Sequence, residues 1–531
     1  MTLVESITDW AIGLRDADIP GDVADLLRAQ RRSVIGAVAA STDDPAVGRV
    51  ARAVERWAAP GPCPLLGGSA GAGATSDLEP AVYAAVALSV ALDFDDYVCF
   101  GHTGHTAVLV PILAAAETGG DGSDQLVAQA VANEIEARLG GAILLGPMNG
   151  QLWAYIQAAG AALATGLMLG LDRDRLAHAL AISLAHPTRA TVPGFMAPDS
   201  KLLVAAEPAA AGVRAARLAE AGVTGPLDAL DDHRGVLDAF SFAPIRGVFA
   251  GLGEGWATKT LCVKPYPGCA YIDTTVDALL DVLSGGAVEP DDVDEIVVEA
   301  GMLTTGMNAL SAPYAETEPP TPVTINFNIP WNAAIVVAAG QLTEAETHPD
   351  WLAEHAQALA KLRRKVRLSH DAELTALSAS RFGGLIPAAG LAREVGVRRL
   401  ASAARKVRAE HPATGLGIGD VVGFVRSARS SGAAATRAAA SGREWWDPNA
   451  LDRFAAAFPS RVTLRLAGGE TRVAQADVPR GGAGNAEASP ADVARTKLDR
   501  SGPRRFGVDG TAALQQAIDA DDGKLHTLLA P

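Results

Sequence analysis

The sequence is poor in aromatic residues, which make up only 5% of its 531 residues. Glycine, by contrast, occurs 55 times, and such small side chains let helices pack closely. The hydrophobic fraction is 49%, which is typical of a folded chain and not of a disordered one. The length predicts two to four domains and is sufficient to bury a large core.

Cysteine is also scarce, and no two cysteines form a C-x-x-C pair. The four are Cys63, Cys99, Cys262 and Cys269. This spacing argues against a disulfide framework and a structural zinc site, and it fits a reducing, cytoplasmic location. The opening residues, MTLVESITDW, carry an acid early and lack a basic region before an apolar run, so we expect no signal peptide.

Positive charge is in deficit, with a formal net charge of -16. Phosphate binding requires clustered lysine and arginine, so this charge argues against a nucleic-acid partner but leaves an anionic small molecule open.

Charged residues of either sign are missing from Leu139 to Leu171, a stretch long enough to span a bilayer. Because this stretch contains Pro147, Asn149 and Gln157, we expect a buried central helix and no membrane span.

Helical periodicity dominates the first part of the chain. As far as about Gly222, apolar residues recur at spacings of three and four, with glycine, proline and aspartate between the segments. After Lys259 the pattern changes: VDEIVVEA (293–300) alternates like a strand, and RVTLRLAGGETRVAQADV (461–478) predicts a hairpin with its turn at Gly-Gly. Further segments are predicted as strand at 364–371 and as helix at 324–342 and 350–362.

This order of elements predicts a mainly α protein, with a large all-helical domain followed by a smaller α+β lid domain. We place the all-helical domain at 1–262 and the lid at 263–480, with an insertion near 380–445. A C-terminal helical segment, 481–531, is predicted to return to the helical domain. The insertion contains RSARSSGAAATRAAASGRE, whose bias toward serine, alanine and arginine indicates a peripheral segment.

One turn between predicted helices concentrates ionisable groups. The segment ALDFDDYVCFGHTGHTAVLVP (91–111) contains Asp93, Asp95, Asp96, His102 and His105. Two histidines and a nearby aspartate suggest a metal site, but H-T-G-H in a glycine-containing turn lacks regular helical spacing, and no later Cys/His motif completes it. We therefore predict no metal. For Asp95 and Asp96 we expect a structural role in the turn.

Two further chemistries find little support in the sequence. Cys99 and Cys269 have no evident base partner that would make either a nucleophile. The segment GGSAGAG (67–73) lacks the Lys-Ser/Thr that follows a phosphate-binding loop.

Several motifs occur in an order that carries a family resemblance. They are LDFDD (92–96) with His105 ahead of AVLVP, GAALATGLMLGLDRDRLAHALAIS (160–183), DSKLLVAAEPAAAGVRAARLAEAGVTGP (199–226), VKPYPGCAYIDTTVDALL (263–280), INFNIPWNAAIVVAAGQL (325–342) and FPSRVTLRLAGGETRVAQADVPRG (458–481). Together they resemble the MmgE/PrpD family, which includes 2-methylcitrate dehydratase, cis-aconitate decarboxylase and iminodisuccinate epimerase. The resemblance covers most of the chain and is weakest at 380–445.

The resemblance implies a large helical domain and a smaller α+β lid with the active site between them. It also implies a homodimer that needs no metal or organic cofactor. Family members act on carbons beside carboxylates, which requires a general base, a general acid and cationic groups that stabilise enolate-like charge.

Four residues match the catalytic positions of the family: Asp93, His105, Lys201 and Lys264. The lysines would bind a carboxylate or a developing oxyanion. His105 would be the acid or base, because imidazole titrates near neutrality. Asp93 would orient or charge the histidine or a lysine.

Five departures from the family bear on the substrate. Tyr97 stands where dehydratases and decarboxylases tend to carry threonine, and Gln151 falls, by spacing, where many members have a histidine. Trp331 stands where the family has a tyrosine, and Val204 and Glu207, three and six residues after Lys201, stand where many members show histidine and then arginine or asparagine. The residues predicted to contact the substrate are Tyr97, His102, Gln151, Glu207 and Trp331. Since the changes remove cationic donors, we hypothesise a substrate less anionic than methylcitrate, such as a monocarboxylate, an amide or a larger biosynthetic intermediate.

The leading interpretation is therefore a cofactor-independent carbon–oxygen lyase of the dehydratase type, acting on a small organic acid or a related biosynthetic intermediate. An isomerase, epimerase or decarboxylase would use the same proton-transfer site, so the sequence leaves these reactions open. A catalytically altered member that serves as a binding or scaffold protein is a third reading. The four retained polar residues argue against it.

Overall fold

The computed structural model describes residues 1–67, 73–147, 150–151, 153–196, 198–286, 288–316, 320–382, 384–386, 388–410 and 448–530. Within these ranges the protein is mainly α-helical with few strands, which confirms the predicted fold class. Most of the predicted insertion at 380–445 lies outside the described residues.

The first part of the chain forms a helical bundle. Its helices are α1 (Leu3–Gly13), α2 (Gly21–Ala40), α3 (Pro45–Val54), α4 (Leu78–Val90), α5 (Gly104–Thr118), α6 (Gly122–Ala142), α7 (Ala154–Met168), α8 (Arg173–Ala185), α9 (Val192–Met196), α10 (Leu203–Glu220) and α11 (Val236–Phe240). Short two-residue strands pair between them: β1 (Cys63–Pro64) with β2 (Thr75–Ser76), and β4 (Gly150–Gln151) with β5 (Ala190–Thr191).

Helix α7 lies at the centre of this bundle, where it packs against α5, α6, α8 and α10. Small residues allow the close approach. A Cβ atom at Gly212 of α10 would lie 2.3 Å from the carbonyl oxygen of Ala158 in α7. The uncharged stretch of the sequence is split, because α6 ends at Ala142 and α7 begins at Ala154. Among the described helices, none combines the length and the apolar character that crossing a bilayer requires.

The second part of the chain contains a four-stranded sheet in the order β10-β9-β7-β8. Its strands are β7 (Val293–Ala300), β8 (Val366–His370), β9 (Ser460–Leu466) and β10 (Thr471–Ala476). Only the β7–β8 pair is parallel. The helices of this part are α12 (Asp273–Ser284), α13 (Met302–Ser311), α14 (Pro322–Ile325), α15 (Ile329–Ala339), α16 (Pro349–Arg363), α17 (Ala372–Phe382), α18 (Ala388–Val395) and α19 (Val397–Glu410).

The strand predictions are confirmed. Strand β7 spans the predicted 293–300, and β9 and β10 form the predicted hairpin around Gly469. The helix predicted at 324–342 is instead two helices, α14 and α15. The break arises because the side chain of Asn328 accepts a hydrogen bond from the Trp331 backbone N–H and so caps a new helix.

The chain ends in the long helix α20 (Pro490–Asp519) and the short α21 (Leu525–Leu529). Helix α20 packs along α2 of the first part. Arg32 of α2 forms an ion pair with Asp519 of α20. This packing brings Lys497 of α20 beneath the turn that follows α4. The predicted domain boundaries stay predictions.

Candidate active site

The site is built on the turn that joins α4 to α5. Asp93 has a φ of +52°, a left-handed conformation that aspartate tolerates better than most residues, and it ends the helical path of α4. Further along, a Cβ atom at Gly104 would lie 2.2 Å from Oδ2 of Asp96. Glycine is therefore required where α5 begins. The turn as a whole carries Asp93 and Asp95 toward the second part of the chain.

Lys264 reaches this turn through strand pairing. β3 (Asp96–Tyr97) pairs antiparallel with β6 (Cys262–Val263), which places the next residue, Lys264, beside the aspartates. Its Nζ donates to the Asp93 carbonyl oxygen at 2.8 Å, to Asp93 Oδ1 at 3.0 Å and to Asp95 Oδ1 at 2.6 Å. The side chain is fully buried. The ammonium group therefore holds the turn together and neutralises part of its charge.

Lys201 approaches the same turn from the opposite side, on the short 3₁₀ turn Asp199–Leu202 that precedes α10. Its Nζ lies 3.2 Å from Asp93 Oδ2 and 5.6 Å from the centre of the Phe327 ring. When the Asn326 amide is oriented so that its NH₂ donates to the Pro322 carbonyl, its oxygen accepts from Lys201 at 2.9 Å.

The two lysines control the ionisation of the aspartates. Burial by itself raises the pKa of Asp93, but Lys201 and Lys264 outweigh it and hold that pKa below its ordinary value. Burial likewise opposes ionisation of Asp95, while Lys264, then His102 and His105, hold its pKa well below the ordinary range. Both groups are therefore carboxylates at neutral pH.

His105 is held at both ring nitrogens. Nδ1 lies 2.8 Å from the Ser89 hydroxyl, and Nε2 lies 3.1 Å from Asp95 Oδ2. The Ser89 hydroxyl is also 2.8 Å from the Val86 carbonyl oxygen, so its proton goes either to that oxygen or to His105. When Ser89 donates to Nδ1, the proton of the neutral ring is on Nε2, which then donates to Asp95. The ring is 4% exposed, so His105 presents little of itself to the cavity.

His102 is held at one ring nitrogen only. Nδ1 donates to Asp95 Oδ2 at 2.7 Å, which leaves Nε2 as the unprotonated nitrogen of the neutral ring. The Gln157 amide donates to the carbonyl oxygen of His102 and anchors the backbone. The ring packs near Tyr97, with centroids 6.2 Å apart. Its side chain is 23% exposed, far more than that of His105.

Lys497 supports the turn from below. Its Nζ donates to the carbonyl oxygens of Phe94 (2.8 Å) and Asp95 (3.2 Å) and to the Ser33 hydroxyl (3.0 Å), and it lies 4.1 Å from the centre of the Phe94 ring. Burial lowers the pKa of Lys497 to about 7, against the attraction of Asp96 and Asp95. Lys264 and Arg500 lower it further.

Asp96 faces away from the other acids of the turn. Gln30 donates to its Oδ1 at 2.9 Å. Burial, then the neighbouring Asp95, raise the pKa of Asp96 to about 7. This carboxyl group is thus part of the interior of the bundle.

A small cavity of about 60 Å³ opens above the turn. Both parts of the chain contribute to its wall. The lining residues are Val90, Asp93, His102, His105, Trp153, Ala154, Gln157, Phe195, Lys201, Val204, Ala205, Cys269 and Phe327. Burial raises the pKa of the Cys269 thiol to about 12, so this cysteine is neutral and offers no thiolate.

The ligand atoms of Asp93, Asp95 and His102 lie within 4.8 Å of one another, which is close enough to hold a metal ion. Both carboxylates already pair with ammonium groups, however, at 3.0 Å and 2.6 Å from Lys264. A divalent cation would add positive charge beside these buried groups. The donor set is therefore a poor fit to a metal. The absence of a cofactor stays a prediction.

Two family models match the chain in sequence order. The model of the MmgE/PrpD N-terminal domain matches residues 5–245, and that of the MmgE/PrpD C-terminal domain matches residues 266–413. The chain belongs to the MmgE/PrpD family. Its members are generally dehydratase-like enzymes. No curated protein matches the chain.

In this MmgE/PrpD protein the structure brings together five of the nine residues singled out from the sequence. Asp93, His102, His105 and Lys201 line the cavity, and Lys264 lies directly behind Asp93. Tyr97, 7% exposed, packs behind the His102 ring and does not line the cavity. The side chain of Gln151 lies outside the described part of the structure.

The other two residues predicted to contact substrate lie elsewhere. Glu207 is exposed on α10, beside the Tyr83 hydroxyl. Trp331 is fully buried in the core of the second part, where its indole N–H donates to the Ala315 carbonyl at 2.8 Å. Arg363 stacks over its ring at 4.8 Å. Neither side chain lines this cavity.

Sequence reasoning missed two residues of the site. Asp95, given only a structural role, accepts hydrogen bonds from Lys264 and His102 and contacts His105. Its two-residue spacing from Asp93 was a usable signal. Lys497 carried no such signal, since it lies about 400 residues further along the chain.

Proposed function

We propose that the protein is a cofactor-independent lyase that removes a proton from a carbon beside a carboxylate or carbonyl group and expels water from the neighbouring carbon. The observation that carries this proposal is the Asp95–His102 pair. A buried carboxylate fixes Nδ1–H of His102, so that Nε2 is left as a base on a ring that lines the cavity. Family membership supports dehydratase-like chemistry.

In the proposed reaction, His102 Nε2 takes the proton and becomes an imidazolium. Asp95 stabilises that charge through the 2.7 Å hydrogen bond to Nδ1. Negative charge develops on the carboxylate or carbonyl oxygen of the substrate, where Lys201 Nζ stabilises it. The C–O bond to the neighbouring carbon then breaks, a C=C bond forms, and the imidazolium proton leaves with the hydroxide as water.

This assignment differs from the sequence-based one, which gave the acid–base role to His105. Both nitrogens of His105 are engaged, by Ser89 and Asp95. Its proposed role is to hold the Asp95 carboxylate in place. His102 takes the acid–base role because its second nitrogen remains available.

Proton NMR in deuterated buffer tests the reaction class. The panel would contain 2-methylcitrate, cis-aconitate and simpler hydroxy acids, including some with apolar substituents. Loss of water supports the lyase, whereas loss of carbon dioxide, or deuterium uptake without net change, identifies a decarboxylase or an isomerase at the same site. Lys201→Ala is the control variant. If every compound keeps all its protons with the wild type as it does with this variant, the result counts against proton abstraction.

His102→Gln and His105→Gln form a matched pair for the base. Removing a general base lowers rates by roughly 10²–10⁴-fold, and we expect this loss for His102→Gln. For His105→Gln we expect a smaller loss, since a positioning contact and not the base is removed. The assignment is wrong if deuterium uptake survives in His102→Gln and disappears in His105→Gln.

A further inference from the structure

We propose that the substrate carries a single carboxylate or carbonyl group next to an apolar arm, and that it is not a di- or tricarboxylate. This inference deepens the proposed function and rests on it for the placement of the reacting group. It depends on three features of the cavity: its charge balance, its small number of available donors, and the composition of its wall.

The charges of the two lysines and two aspartates nearest the cavity cancel before any substrate arrives. Asp93 and Asp95 supply two negative charges, and Lys201 and Lys264 supply two positive ones. A tricarboxylate would therefore bring three negative charges to a site with no net positive charge among these groups. A buried carboxylate without a counter-charge is strongly disfavoured.

Few hydrogen-bond donors remain for a substrate. The ammonium group of Lys264 donates to three acceptors of the turn, all within 3.0 Å, and has no N–H left for a substrate. Lys201 has three N–H bonds, of which Asp93 and Asn326 occupy two. The Gln157 amide donates to the His102 backbone. Lys201 keeps one N–H bond and Gln157 a second amide N–H, which can serve one carboxylate or carbonyl, and no second lysine or arginine lines the cavity among the described residues.

The rest of the cavity wall is largely apolar. Phe195 of α9 and Phe327 of the second part meet edge to face, with ring centroids 6.0 Å apart. Val204 of α10 packs against the same cluster. Trp153 completes the lining near His102, with ring centroids 6.5 Å apart. Aromatic and aliphatic surfaces of this kind bind an alkyl or aryl group by burying its apolar area.

Direct binding measurements on the whole protein test the proposal without requiring turnover. Isothermal titration calorimetry would compare phenylpropanoate, with one carboxylate and an aryl arm, with tricarballylate, which has three carboxylates. Phenylpropanamide, with the same arm and a neutral carbonyl group, is the third probe. We expect phenylpropanoate to bind at least about tenfold more tightly than tricarballylate at the same ionic strength. Tighter binding of tricarballylate, or no binding of any probe, overturns the proposal.

A gain of charge in the wall gives a second, independent measurement. Val204→Lys adds a second ammonium group to the cavity and should tighten tricarballylate binding by about tenfold, while weakening the hold on the aryl arm. The matched control is Leu218→Lys, which adds the same charge to an exposed position, 39% accessible, of the same helix. If both variants change tricarballylate affinity equally, local charge balance does not set the specificity. The wild-type series decides the question even if Val204→Lys does not fold.

The two proposals fail in different ways. Selective binding of phenylpropanoate with no deuterium exchange on any apolar hydroxy acid would leave the cavity specificity in place and remove the proton-transfer function. Exchange on 2-methylcitrate with tight tricarballylate binding would support the proton-transfer function and overturn the substrate class.

Discussion

Lys264 offers the sharpest test of how the site is held together, because the chain contains a matched control for it. Lys264 is fully buried between Asp93 and Asp95. Lys259, five residues earlier, also bridges two aspartates, Asp22 at 3.0 Å and Asp452 at 2.8 Å, but its side chain is 23% exposed and theirs are 65% and 48% exposed. Substitution by methionine removes an ammonium group from a buried site in Lys264→Met and from a partly exposed site in Lys259→Met.

The two substitutions should lower the free energy of unfolding by amounts that differ severalfold. Removing one member of a buried ion pair leaves an uncompensated charge and costs about 3–5 kcal/mol. Lys264→Met does this to Asp95, which is fully buried and keeps only its histidine partners. Exposed ion pairs contribute about 0–1 kcal/mol, so Lys259→Met should fall in that range. Urea unfolding followed by circular dichroism measures both differences.

The loss in free energy of unfolding caused by Lys264→Met should be larger at high pH than at low pH. In the wild type the pKa of Asp95 lies well below its ordinary value of 3.8, so this group stabilises the fold above that pH and the contribution is lost as pH falls through the folded pKa. Without Lys264 the folded pKa of Asp95 rises. The difference in free energy of unfolding between wild type and Lys264→Met should therefore be largest at about pH 8 and become smaller as the pH falls toward about 4. An equal cost for both variants, or a deficit that does not change with pH, would refute the reasoning.

The remaining predictions concern the groups beneath the turn. Burial lowers the pKa of Lys497 to about 7 from 10.5, so at this group the unfolded chain binds more protons between these values, and the contribution of Lys497 to stability should rise with pH across that window. Lys497→Met should lose this contribution, so the difference in free energy of unfolding between variant and wild type, measured by urea unfolding at several pH values, should change with pH; a constant difference would contradict it. Gly104→Ala places a Cβ atom 2.2 Å from the Asp96 carboxylate and should cost about 1–3 kcal/mol, whereas Gly13→Ala, with no atom within 4 Å, should cost little; equal thermal midpoints would contradict this.

Local patterns were sufficient for the regular elements of the second part. The alternation in VDEIVVEA and the Gly-Gly turn of the hairpin depend on neighbouring residues alone, and β7, β9 and β10 form where those patterns occur. The division of 324–342 into two helices was missed, because its cause is a single capping asparagine, Asn328, in an otherwise continuous apolar run.

The location of the candidate site was predictable, because one turn carries most of its charged groups. The roles within that turn were not. His102 and His105 are the same residue type, three positions apart, so the sequence does not distinguish their roles. In the structure, Ser89 and Asp95 contact both ring nitrogens of His105, whereas Asp95 contacts only Nδ1 of His102. Spacing also assigned Glu207 to the cavity, whereas the exposed face of α10 carries it to Tyr83.

Lys497 shows what a linear reading cannot supply. A buried ammonium group requires acceptors, and its three lie on Ser33 of α2 and on the turn that follows α4. These acceptors come together only when α20 packs along α2, a contact between the two ends of the chain. The geometry of Asp95 therefore depends on a helix that contributes no residue to the cavity, and substitutions along the α2–α20 contact should alter the site without touching its lining.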